Sequence, residues 1–164
     1  MNTYIILVDR LNRFILIICA ILLTVMVLAV SFQVLIRTLP NTVINISAPW
    51  TSQLSIYCML WLIFLGASVA TRNNKLISVD IILSYLPLRG AKITVYSATL
   101  LSLIFYIGIL IAGYYWAVYG LSEVSTTMGI SMFYVYGSLP VSAFVMILNT
   151  IAYLLEIPKN LSKA

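Results

Sequence analysis

Side chains able to do chemistry are few in this chain of 164 residues. The four acids, Asp9, Asp80, Glu123 and Glu156, stand far apart, so no paired carboxylates for acid–base work are suggested. There is no histidine, which removes the usual axial ligand of a membrane haem and the usual nitrogen ligand of zinc. Cys19 and Cys58 each sit inside an apolar run, without the CxxC spacing or electropositive setting of a reactive thiol. No glycine-rich phosphate loop and no Ser/His/Asp set is present. Neither enzymatic activity nor a cofactor or metal is expected.

The polar residues that remain fall inside apolar runs: Thr24, Ser31, Gln33, Ser97, Ser102, Ser142 and Asn149. Gln33 and Asn149 are the costliest to leave unpaired in lipid, so both are expected to face protein, as interhelical glue rather than substrate contacts. Two pairs of small residues four apart, Gly66 with Ala70 and Gly108 with Ala112, would let backbones approach closely, within the chain or toward a partner.

These residues are positioned by a membrane fold. The chain is 63% hydrophobic and only 8% charged, where a soluble domain has about a quarter of its residues charged. One small core could not hide so much apolar surface, so lipid must be the solvent. The net charge of +5 comes from nine Lys and Arg spread along the chain without a basic face, which argues against nucleic acid.

The expected architecture is all-α, a single membrane domain over residues 1–164, folded as a compact four-helix bundle. The first span runs from Phe14 to Ile36, 23 residues without a charge, or about 34 Å of helix. It is too long for a signal-peptide core and no cleavage site follows it, so it is expected to remain. The others are 50–70, 93–119 and 132–155, the last holding Pro140, where a kink is expected. The segment 76–86 is apolar but too short to cross, and reads as an interfacial helix on the cytoplasmic face.

Eight of the nine basic residues fall on one side of these spans, including Arg10, Arg13, Arg72, Arg89, Lys92 and Lys159, and only Arg37 on the other. The positive-inside rule therefore places both termini in the cytoplasm (N-in, C-in). Trp50, Tyr114, Tyr115, Trp116, Tyr119, Phe133, Tyr134 and Tyr136 cluster where the outer interface is expected, as an aromatic belt.

The second span carries a more specific pattern. Trp50-Thr51-Ser52-Gln53-Leu54, then Trp61 through Phe64-Leu65-Gly66-Ala67-Ser68 to Ala70-Thr71-Arg72, then Val79-Asp80, resembles the small membrane subunit (DctQ-like) of tripartite ATP-independent periplasmic (TRAP) transporters. Leu86-Pro87 with Arg89, and Tyr134, Leu139-Pro140-Val141 and Met146 in the fourth span, continue the resemblance, which covers nearly the whole chain. Two positions depart from the family pattern: Ser52 and Gln53 stand where Glu-Glu is common, and Lys75-Leu76 where a histidine is common.

The resemblance implies a subunit of a sodium-driven transporter for small organic anions in the bacterial inner membrane. Its partners would be a large polytopic permease subunit and a periplasmic substrate-binding protein. Trp50, Gln53, Trp61, Gly66, Ala70, Arg72 and Asp80 are then the candidate partner interface. Two alternatives are a membrane anchor of a redox complex, which the lack of histidine disfavours, and a self-sufficient small channel or exporter. A carrier usually needs an ionisable group at membrane depth, and here no acid lies in mid-span.

Overall fold

In the computed structural model the described residues are 3–38, 49–72 and 88–160, and they are helical apart from one compact turn. α1 spans Thr3–Thr38, α2 Pro49–Arg72, α3 Leu88–Tyr119, α4 Phe133–Tyr136 and α5 Ser138–Asn160. Among the described residues four segments are long and apolar enough to cross a membrane: α1, α2, most of α3, and α4 with most of α5. The expected segment 76–86 and Asp80 lie outside the described residues.

α1 starts at Thr3, eleven residues before the expected span, so Arg10 and Arg13 lie on a helix and not in a tail. Its 36 residues make about 54 Å of helix, well beyond the hydrocarbon thickness, so it must tilt or protrude. The extension is held by packing. Ile5, Val8, Asn12 and Ile15 are buried, and Cys19, Leu22, Met26, Ala29, Gln33 and Ile36 are half-buried. The spacing alternates three and four throughout, the seam of a left-handed coiled coil. Gln33 thus lies on the protein-facing side of α1.

α2 begins with Pro49, whose missing N–H costs nothing at a helix start. The expected fourth span is divided at Gly137 into α4 and α5. Pro140 cannot donate to the Tyr136 carbonyl four residues back, so the backbone ladder is interrupted next to this division.

The helices form a row and not the closed bundle expected from composition. α1 packs along α2, α2 along α5, and α5 along α3. α2 and α5 occupy the middle and are the most buried, while α1 and α3 form the edges. Lipid is as apolar as the helix surfaces, so no hydrophobic force draws the two edges together. The central apolar cluster is Ile15 of α1, Leu65 and Val69 of α2 and Val145 of α5, with Trp61 packed beside it.

Backbones approach closely between α3 and the fourth span. A Cβ on Gly113 would lie 2.5 Å from Leu139 Cδ2 and 3.0 Å from Pro140 Cδ. One on Gly120 would lie 2.7 Å from Tyr136 Cδ2 and 2.9 Å from the Phe133 nitrogen. With buried Ala117 between them, these glycines form the small-residue face of α3. Gly108 and Ala112, the pair conspicuous in the sequence, are exposed.

Candidate functional site

The densest polar constellation lies where the start of α1 and the ends of α2 and α5 meet. Asn12 of α1 and Asn149 of α5 are buried and exchange amide hydrogen bonds. Asn12 Nδ2 donates to Asn149 Oδ1 at 2.6 Å, and Asn149 Nδ2 donates to Asn12 Oδ1 at 3.0 Å. Their remaining donor capacity goes to backbone carbonyls, Asn12 to Val8 at 2.8 Å and Asn149 to Ser68 of α2 at 2.6 Å. Both amide oxygens and both amide nitrogens are engaged, so the pair satisfies the condition on which buried polar groups are tolerated. Tyr4 adds a third tie, its hydroxyl donating to the Leu148 carbonyl at 3.0 Å.

At the same end Arg72 closes α2. Its guanidinium donates to both Glu156 carboxylate oxygens, Nη1 to Oε2 at 2.7 Å and Nη2 to Oε1 at 2.9 Å. Nε donates to Asp9 Oδ1 at 2.8 Å. The Arg72 side chain is 12% exposed, against 26% for Glu156 and 54% for Asp9. Two acids from α1 and α5 therefore bracket one cation from α2, with the bidentate pair on the drier side. Charge is balanced locally to one net negative, and three of the four spans are joined.

This arrangement ties three helices together. Among the described residues no three His, Cys, Asp or Glu side chains come together to hold a metal ion. Cys19 and Cys58 lie on different helices, half-buried and buried respectively.

The sequence-derived interface residues do not form one patch. Trp50 is exposed at the far end of α2, its ring 6.4 Å from that of Phe32 on α1. Gln53 is half-buried one turn on. Trp61 turns inward, its indole Nε1 donating to the Tyr134 carbonyl at 3.0 Å. Arg72 is engaged within the chain, by Asp9 and Glu156. Gly66 and Ala70 are half-buried, and a Cβ on Gly66 would meet nothing within 4 Å, so no described backbone approaches there. That face of α2 is open.

Asn12 is invisible to hydropathy, because it stands beside Arg13 and outside the charge-free run. The three-and-four spacing of Ile5, Val8, Asn12 and Ile15 is the signal that marks it. Beside the central helices runs an apolar groove of about 290 Å³, lined by Trp61, Tyr114, Ala117, Phe133, Pro140 and Val141 among others. Its walls offer hydrocarbon and aromatic surface, which suits apolar matter and not an ion.

The family model described as "Tripartite ATP-independent periplasmic transporters, DctQ component" matches residues 26–159. A comparison with curated protein sequences found no match.

Proposed function

The chain belongs to the DctQ component family of TRAP transporters, and we propose that it acts there as the fixed wall against which the large permease subunit is held. Membership makes it a small TRAP transporter subunit, a multi-pass protein of the bacterial inner membrane. Transporters of this family work with a large permease and a substrate-binding protein, and the family is not an enzyme family.

The observation that carries the wall reading is where the ionisable groups are. Arg72 is bracketed by Asp9 and Glu156 at one end of the row, a cluster with one net negative charge. Glu123 lies beyond the other end of α3, accepting from the Tyr136 hydroxyl at 3.0 Å. A carrier needs charge or unwound backbone in mid-membrane, whereas a stator needs only packing and depth anchors. A row with both edge helices bare to lipid also offers a long apolar flank to a larger neighbour.

In this reading the open face of Gly66 and Ala70 receives the large subunit, with Trp50 and Gln53 nearer the other end of the same helix. The sodium gradient and the organic anion are handled by that partner. The basic termini are cytoplasmic, and the opposite end lies near the docked binding protein.

Copurification tests this. Tagged chain expressed with its large permease should retain that subunit in mild detergent, and Gly66→Leu should release it while the isolated chain keeps its thermal stability. Retention of the large subunit by Gly66→Leu would remove α2 as the docking helix.

A further inference from the structure

We infer that the turn joining α3 to α4, residues 120–132, is a membrane-interface anchor that lies in the lipid boundary and does not project into water. The turn is built and not slack. Val124 and Ser131 form an antiparallel bridge, with Ser125 N–H donating to the Ile130 carbonyl at 2.9 Å and Met132 N–H to the Glu123 carbonyl at 3.0 Å. Gly129, at φ 64°, makes the reversal, its N–H donating to the Ser125 carbonyl at 3.0 Å. The Ser125 hydroxyl is buried and accepts the Met128 N–H. At the base, the Gly120 carbonyl accepts both the Phe133 N–H and the Ser131 hydroxyl.

This framework presents apolar side chains outward. Leu121 and Val124 are each 61% exposed, and Ile130 is 39% exposed. In water such a cluster on a rigid turn would be a standing cost, roughly 25 cal/mol for each Å² of apolar surface. The neighbouring surface says what covers it. Leu121 lies two residues beyond Tyr119, which with Tyr115 and Trp116 presents exposed rings at the end of a membrane-spanning helix, and the exposed Tyr134 lies in α4 on the other side of the turn. The apolar turn therefore continues a belt of amphipathic rings of the kind that sits at the headgroup level.

Two further properties fit a lipid boundary. Irregular backbone is tolerated near hydrocarbon only when its polar groups bond internally, and here the turn supplies many of its own partners. The turn has one ionisable residue, Glu123, whose carboxylate accepts from Tyr136, and no basic residue occurs between Lys92 and Lys159. Lowering this turn to the acyl boundary immerses no bare cation. Thr126 and Thr127 at its tip are exposed, and polar residues there suit the headgroup layer. The anchor would fix the depth of α3 and α4, just where Gly113 and Gly120 demand close registry.

The test is collision accessibility of a nitroxide at Val124→Cys, and separately at Leu121→Cys, in the full chain carrying Cys19→Ala and Cys58→Ala. The protein is placed in vesicles of phosphatidylethanolamine and phosphatidylglycerol. Both positions are exposed, so the label displaces no packed neighbour. The expected result is ready access to oxygen and exclusion of a water-soluble nickel chelate, with an oxygen-to-nickel ratio severalfold above that of free label. Access to the nickel chelate at both positions would overturn the inference in favour of a water-exposed turn. Exclusion of both reagents would overturn it too, by showing the patch covered by protein, for example a second copy of the chain.

Discussion

Asn12 and Asn149, 137 residues apart in sequence, exchange two amide hydrogen bonds across the contact of α1 and α5. Because Asn149 also donates to the Ser68 carbonyl, one fully satisfied pair registers three helices. In lipid such a pair contributes roughly 1 kcal/mol, yet breaking it halfway leaves a buried amide without a partner.

Asn149→Ala should therefore destabilise the isolated chain by about 1–2 kcal/mol, and Asn12→Ala by a similar amount. The double variant should lose less than the sum, since each single change already removes the shared interaction. Thermal unfolding in detergent, arranged as a double-mutant cycle, measures this. Strict additivity would mean that the two amides act independently.

The Arg72 constellation predicts unequal partners. Glu156→Gln removes the bidentate carboxylate on the drier side and should cost on the order of 1.5–3 kcal/mol. Asp9→Asn removes the acid that is 54% exposed, and water screens that pair, so the loss should stay within about 1 kcal/mol. The comparison is again of unfolding midpoints in detergent. Equal losses would show that exposure does not order these contacts.

Two glycines should behave in opposite ways. Gly113→Leu drives a branched side chain into Leu139 and Pro140 and should destabilise the isolated chain by roughly 1–3 kcal/mol. Gly66→Leu meets open space and should leave it unchanged. If Gly113→Leu is tolerated, α3 does not approach α5 as described.

The spans are legible in the sequence because a charge-free apolar run long enough to cross hydrocarbon is rarely anything but a membrane helix. The small-subunit pattern over 50–72 likewise points to the family that residues 26–159 match. Pairing is what the sequence hides. Arg72 reads as a helix-end cation open to a partner, because its acids lie 63 and 84 residues away and on different helices. The small residues of α3 offer two parallel stripes, Gly108/Ala112 and Gly113/Ala117, and spacing alone does not say which one meets another backbone. Hydropathy places the start of the first span at Phe14 because it weighs charge. Arg10 and Arg13 are instead carried on the exposed side of a helix whose opposite seam is buried.

Reconstitution bears most directly on the central claim, that this subunit supports transport without conducting it. Vesicles containing this chain alone should show no sodium-driven uptake of an organic anion. Vesicles with the large permease, a loaded binding protein and this chain should show it, and uptake should fall with Gly66→Leu. Sodium-driven uptake by the chain alone would contradict the account outright.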